Sequence, residues 1–274
     1  MSEPLRIPAR HDAYPLSGEL FLPPGEPRAA VLIGSAMAVR KGFYARFAQH
    51  LADRGLAALT VDYRGIGGSR PHGSLRGFAA RFHEWGERDL AGAADFLLQR
   101  FPRAPLAYVG HSAGAQLMGM LDGAPIRAAL FASAGTAYWR AYRGRARAFM
   151  AAFFHAIVPV SVAVRGFLPM RAFGQGDDVP AGVALEWAKW GRHPQYAASH
   201  VGGEYTKYHN PLRALSIEDD NYAPRTAVEG LLALYPAARK ELLTVPGPLG
   251  HFGFFRRPEA WEPHVEWLLE KSHG

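Results

Sequence analysis

Apolar residues in the first half of the chain fall by turns into two patterns. Short continuous runs mark strands buried on both faces, and stripes spaced three and four residues apart mark helices with one covered face. Runs at 28–35, 56–62, 106–110 and 128–134 predict strands, and stripes at 43–54, 87–100 and 113–121 predict helices. Leu90, Ala94, Leu97 and Leu98 share one face of the second helix. Strand and helix in alternation build a largely parallel sheet with helices on its faces, an α/β architecture. The stretch 14–22 contains Pro15 and a Ser17-Gly18 pair, which predicts an antiparallel edge strand or hairpin. After residue 208 the rhythm returns, with strands at 212–217 and 240–245 and helices at 225–235 and 261–271.

Between 136 and 208 the alternation stops. This segment is arginine-rich, aromatic and helical in spacing, and it is too long for a loop within one domain. It predicts a helical cap inserted into an α/β domain formed by 1–135 and 209–274. Nine Lys+Arg against four Asp+Glu in the segment carry most of the chain's formal charge of +7.

Composition narrows the chemistry. With 49% hydrophobic and 20% charged side chains in 274 residues, the chain is neither disordered nor a coiled coil. It has no cysteine, which excludes a disulfide framework, a thiolate zinc site and a cysteine nucleophile. Residues 1–10 hold two prolines, Glu3 and no apolar core, so no secretory signal is expected there and a cytoplasmic location is. The longest uncharged apolar run, 151–164, contains His155 and Pro159 and falls short of the ~20 residues that span a bilayer, so no transmembrane helix is expected. Gly65-Ile66-Gly67-Gly68-Ser69-Arg70 ends in arginine where a dinucleotide fingerprint needs glycine. His83-Glu84-Trp85-Gly86-Glu87 lacks the second histidine of a zinc-protease helix. No nucleotide, metal or other cofactor is expected, and the basic charge comes with no recognisable nucleic-acid-binding motif.

The strongest local signal is Gly110-His111-Ser112-Ala113-Gly114, set between a strand-like run and a helix-like stripe. A serine on such a sharp turn projects its hydroxyl from the carboxyl edge of the sheet, and the following helix N-terminus supplies amide donors. Small flanking residues make room for the strained backbone this requires.

With this motif, and with Asp62-Tyr63-Arg64-Gly65-Ile66-Gly67-Gly68-Ser69 resembling the turn after the fourth strand, the chain resembles the α/β-hydrolase superfamily in its esterase and lipase-like branch. The resemblance covers about 12–135 and 209–271 and leaves the insertion outside. It implies a nucleophile–acid–base order of Ser112, Asp220 and His251. His251 lies in Pro248-Leu249-Gly250-His251-Phe252-Gly253, the turn after the last strand. Asp220 stands three residues and then a proline from Pro224, as the family's acid does, with Asp219 one position out of phase as the alternative. The amide of Ala113 would be one oxyanion donor and that of Met37 the other, with Ala36 as alternative, although Ser35-Ala36 replaces the family's usual His-Gly pair. Asp62 and Arg64 are expected to hold loops. His111 is expected to point away from Ser112, and the remaining histidines to sit in packing or loop positions.

The resemblance implies a hydrolase of carboxylic esters or thioesters acting through an acyl-enzyme. Acyl transfer by the same triad and a non-catalytic ligand binder are the alternatives. The cap's aromatic side, facing the nucleophile, would favour a small-molecule substrate with a hydrophobic portion; Trp187 and Trp190 are candidates to line that pocket or to form the cap's own core. Arg140, Arg143, Arg145 and Arg147 read first as the solvated face of a cap helix with its aromatics turned inward. Attraction of an anionic acyl donor and contact with an acidic lipid surface are the functional readings.

Overall fold

In β3 (Ala29–Gly34) every residue is buried, and successive side chains serve opposite faces of the sheet: Val31 and Ile33 enter one core, Ala30 and Leu32 the other. The computed structural model describes residues 1–71, 73–199 and 204–274. His72 and His200, both assigned above to packing or loop positions, lie outside the described residues. The other strands of the sheet are β1 (Ser2–Pro8), β2 (Pro15–Phe21), β4 (Leu56–Val61), β5 (Leu106–His111), β6 (Ile126–Ala132), β7 (Pro211–Ile217) and β8 (Arg239–Val245). They lie in the order β1-β2-β4-β3-β5-β6-β7-β8, parallel from β4 onward, with β1 and β2 antiparallel.

Of the two expectations for 14–22, the hairpin is the one observed: β2 pairs antiparallel with β1 on one side and with β4 on the other, so it is not the edge. Pro15 is tolerated as the first residue of its strand. The edge is β1, which buries Ile7 alone and so shows no alternation in sequence. The predicted strand at 128–134 begins two residues earlier, at Ile126.

On one face, α1 (Ala45–Asp53) and α8 (Glu262–His273) cover the sheet through Phe47, Leu51, Val265 and Leu268. On the other lie α2 (Ala91–Arg100), the short α3 (Ala113–Leu117) and α7 (Arg225–Ala233), packed through Leu97, Ala115, Leu117, Val228 and Leu231.

The chain between β6 and β7 is largely helical. Here α4 (Gly144–Ala152), a π-helical turn (Phe153–Ile157) and α5 (Val158–Arg165) run on as one helix of 22 residues. A two-strand ladder, Phe167–Leu168 with Val179–Pro180, leads into α6 (Ala181–Gly191). The uncharged run at 151–164 understated this helix, which by length and composition alone is able to cross a bilayer. One side of it is committed to the protein, because Met150, Phe154 and Val158 are buried and the Phe153 and Phe154 rings meet Trp187 of α6 edge-on at 5.7 and 5.1 Å.

The turn after β4 is held by ions. Arg64, nearly fully buried, bonds Asp89 at 2.6–2.7 Å and Asp12 at 2.7 Å, and its own amide donates to Asp89. Asp62 accepts the amides of Lys41 and Gly68. Asp177 accepts Arg40, Arg171 and the Gly67 amide, which ties the insertion to that turn. These guanidiniums hold the Asp177 carboxyl well below the usual carboxylate range despite partial burial.

Candidate active site

Ser112 joins β5 to α3 with φ 50° and ψ −114°, a left-handed backbone that a residue with a side chain adopts only under constraint. The constraint is close packing. A Cβ on Gly110 would sit 2.6 Å from the Ala115 Cα, and one on Gly114 would run into the Gly34 backbone, so both flanking glycines are required. The turn delivers Ser112 to a cavity of about 310 Å³ at the carboxyl edge of the sheet, also lined by Ala36, Met37, Gln116 and His251.

The acid and base loops follow β7 and β8. Asp220 is buried, and its Oδ1 accepts the amides of Tyr222 and Ala223 at 2.9 and 3.0 Å. Its carboxylate meets His251 Nδ1 at 2.8 Å. That contact fixes the ring so that Nε2 is left for the cavity. Asp219 points elsewhere and accepts the amides of Leu249 and Gly250 at 3.1 and 3.0 Å. Those two donors lower its carboxyl pKa. Adjacent acids therefore divide the work: Asp219 ties down the loop that carries His251, and Asp220 touches the imidazole. The Ser112 hydroxyl has no hydrogen-bond partner among the described residues, so Ser112 and His251 share one cavity without a closed bond between them. Such bonds are commonly long until substrate is bound.

His111 is buried beside this group, and it bridges two loops. Its Nε2 lies 2.9 Å from the His251 carbonyl, which can only accept, so Nε2 carries the proton and Nδ1 accepts from the Tyr44 hydroxyl at 2.8 Å. Burial holds its pKa well below the ordinary imidazole value, and the ring stays neutral. Tyr44 in turn accepts the amide of Ala36 at 2.8 Å. Of the two amides considered after β3, that of Ala36 is therefore occupied. The Met37 amide has no backbone or side-chain acceptor among the described residues. Sequence reasoning missed this Ala36–Tyr44–His111–His251 chain, because nothing in the pattern around Tyr44 marks its hydroxyl as reaching β5.

Trp187 and Trp190 separate. Trp187 lines the cavity, but Trp190 does not: it is 0% exposed and packs on Phe82 at 4.8 Å and on Tyr196. Three residues on a helix differ by about 60° in direction, enough to send one ring to the cavity and the other into the core beneath it. The rest of the lining includes Tyr142, Phe149, Met150, Phe153, Ile157 and Met170, and among the described residues no carboxylate. A larger, shallower cleft of about 610 Å³ adjoins it, sharing Gln175 and Phe252. That cleft contains none of Ser112, Asp220 and His251, so the smaller cavity is the candidate site.

A mostly parallel eight-stranded sheet with serine on a strand–turn–helix elbow defines an α/β-hydrolase, and the chain is an enzyme of that class. It belongs to the family described as serine aminopeptidase, S33, whose profile matches residues 25–166. No curated protein sequence matches it significantly. Among solved structures it is similar to a soluble variant of monoglyceride lipase from Saccharomyces cerevisiae, with TM-score 0.71 and 16% identity over 98% of this chain and 95% of that one. It is also similar to DcsB in complex with its substrate analogue, with TM-score 0.73 and 14% identity over 100% and 99%. An esterase from Pyrococcus furiosus gives TM-score 0.65 and 15% identity over 100% and 92%.

Proposed function

We propose that this chain hydrolyses carboxylic esters or thioesters of a hydrophobic acid through an acyl-enzyme on Ser112. The observation that carries the reading is the pairing of buried Asp220 with His251 at the cavity that also contains the elbow serine. His251 takes the serine proton and later activates water, Asp220 holds the imidazole, and the amides of Ala113 and Met37 receive the oxyanion. Residues 136–208 act as a cap: their aromatic and aliphatic side chains form much of the cavity wall and exclude water from the acyl group. The aminopeptidase activity for which the family is named fits the cavity less well. An aminopeptidase has to neutralise a substrate ammonium, and among the described residues no carboxylate lines the cavity.

Covalent labelling tests the proposal. A fluorophosphonate is expected to add one adduct per chain, mapped to Ser112 by peptide mass, and no adduct on Ser112→Ala. An unlabelled wild type would instead favour a non-catalytic binder. Product analysis with and without an alcohol acceptor separates hydrolysis from acyl transfer.

The two neighbouring acids give a second expected outcome. Asp220→Asn should lower kcat by about 10⁴-fold, because the imidazole loses the charge that fixes its tautomer and stabilises its protonated form. Asp219→Asn keeps an acceptor for the Leu249 and Gly250 amides and should cost less than about tenfold. Steady-state kinetics on a p-nitrophenyl ester would reverse the assignment if the larger loss followed Asp219.

A further inference from the structure

The long helix of the insertion is apolar on the side that faces out. A surface helix normally turns its polar stripe to solvent. Here Met150, Phe154 and Val158 are buried, while Phe149, Ala152, Ala156, Val160, Ala163 and Val164 are exposed along the opposite side. Phe149 is 55% exposed, Val160 60% and Val164 68%. The arginine run is solvated as expected, with Arg143, Arg145 and Arg147 exposed and Tyr142 buried; beyond it the outer face of the helix displays apolar side chains.

The charge around this stripe has one sign. Residues 137–176 contain Arg140, Arg143, Arg145, Arg147, Arg165 and Arg171 and no Asp or Glu. Apart from Arg171, held by Asp177, none of these pairs with a carboxylate among the described residues. Arg140 and Arg147 lie over the Trp139 ring at 4.9 and 5.1 Å, which leaves their charge uncompensated.

From these observations we infer that the outer face of α4–α5 docks on an anionic lipid surface. The apolar stripe enters the boundary between headgroups and acyl chains, and the unpaired arginines meet the lipid phosphates. A second copy of this chain is a poorer occupant, since it would oppose one set of unpaired arginines with another. The helix lies on the surface and does not cross it, because its inner side packs on α6 and walls the cavity. Phe149 and Phe173 both line the cavity and are half exposed, so its mouth opens beside the docking face. Resting on the esterase reading, this makes an ester dissolved in the lipid the natural substrate class: the acyl chain passes from the bilayer into the cavity without crossing water.

Co-sedimentation tests the inference, with phosphatidylcholine vesicles against vesicles of phosphatidylcholine mixed with phosphatidylglycerol. The wild type should sediment with the mixed vesicles and be released by high salt. The doubly substituted Val160→Glu/Val164→Glu variant, altered outside the cavity, should bind them at least about tenfold more weakly. Both proteins should turn over a water-soluble p-nitrophenyl ester at equal rates. Equal vesicle binding by wild type and variant, or none by either, overturns the inference, as does a wild-type dimer that the variant dissolves. Failure to turn over the soluble ester would overturn the esterase reading instead, whatever the vesicle result.

Discussion

Ser112→Ala is expected to lower kcat for a p-nitrophenyl ester by about 10⁴–10⁶-fold while leaving KM within a fewfold of the wild type. The substitution removes only the hydroxyl. The cavity wall, the Asp220–His251 pair and the Ala113 and Met37 amides proposed as oxyanion donors stay in place, so substrate should still bind and the residual rate should be that of water attacking beside those donors. Alanine fits the same left-handed turn about as well as serine does, because the tight contacts there involve Gly110 and Gly114. Thermal melting should therefore be little changed, which separates lost chemistry from lost folding. Turnover within tenfold of wild type would remove Ser112 from the reaction and with it the acyl-enzyme.

What could be read from the sequence was whatever one residue type or one period dictates. The elbow needs small residues beside the serine, and Gly110 and Gly114 announce it in the sequence itself. The central strands β3 to β6 are largely apolar runs because both faces of the sheet are covered there. Asp220 was favoured over Asp219 by its spacing to Pro224, and the structure places Asp220, not Asp219, against the imidazole.

Features that depend on which side a residue turns were hidden. The strand β1 has one buried residue and is held by backbone pairing with β2, which leaves no hydrophobic signature. Trp187 and Trp190 look equivalent in sequence and diverge because Phe82, more than 100 residues away, provides a place for only one of them. The same holds for the outward apolar stripe of α4–α5. The run of aromatic and aliphatic residues is plain in the sequence, but its excess over what the core can cover shows only when the buried side is known.

Asp89→Asn should destabilise the fold by about 3–5 kcal/mol, the usual cost of leaving a buried charge without its partner. Arg64 is almost entirely shielded from water, and only Asp12, near the surface, would remain to balance it. Burial raises the Asp89 carboxyl to about 6 even beside the guanidinium, so near neutral pH it is the charged form that grips Arg64. As pH falls through that value the folded chain takes up a proton that the unfolded chain still releases. Asp89 therefore supports the fold more as pH falls across that window, a gain the asparagine cannot share, and the deficit of Asp89→Asn should grow as pH drops from 7 to 5. Denaturant unfolding at the two pH values measures both effects. A doubly substituted Arg64→Leu/Asp89→Leu chain should recover part of the loss, since it removes the charge together with its partner. Recovery stops short because the Arg64 amide loses the acceptor it has in Asp89. Near-wild-type stability in Asp89→Asn would mean that Asp12 alone holds Arg64, and that the turn after β4 is fixed by Asp62 and Asp177.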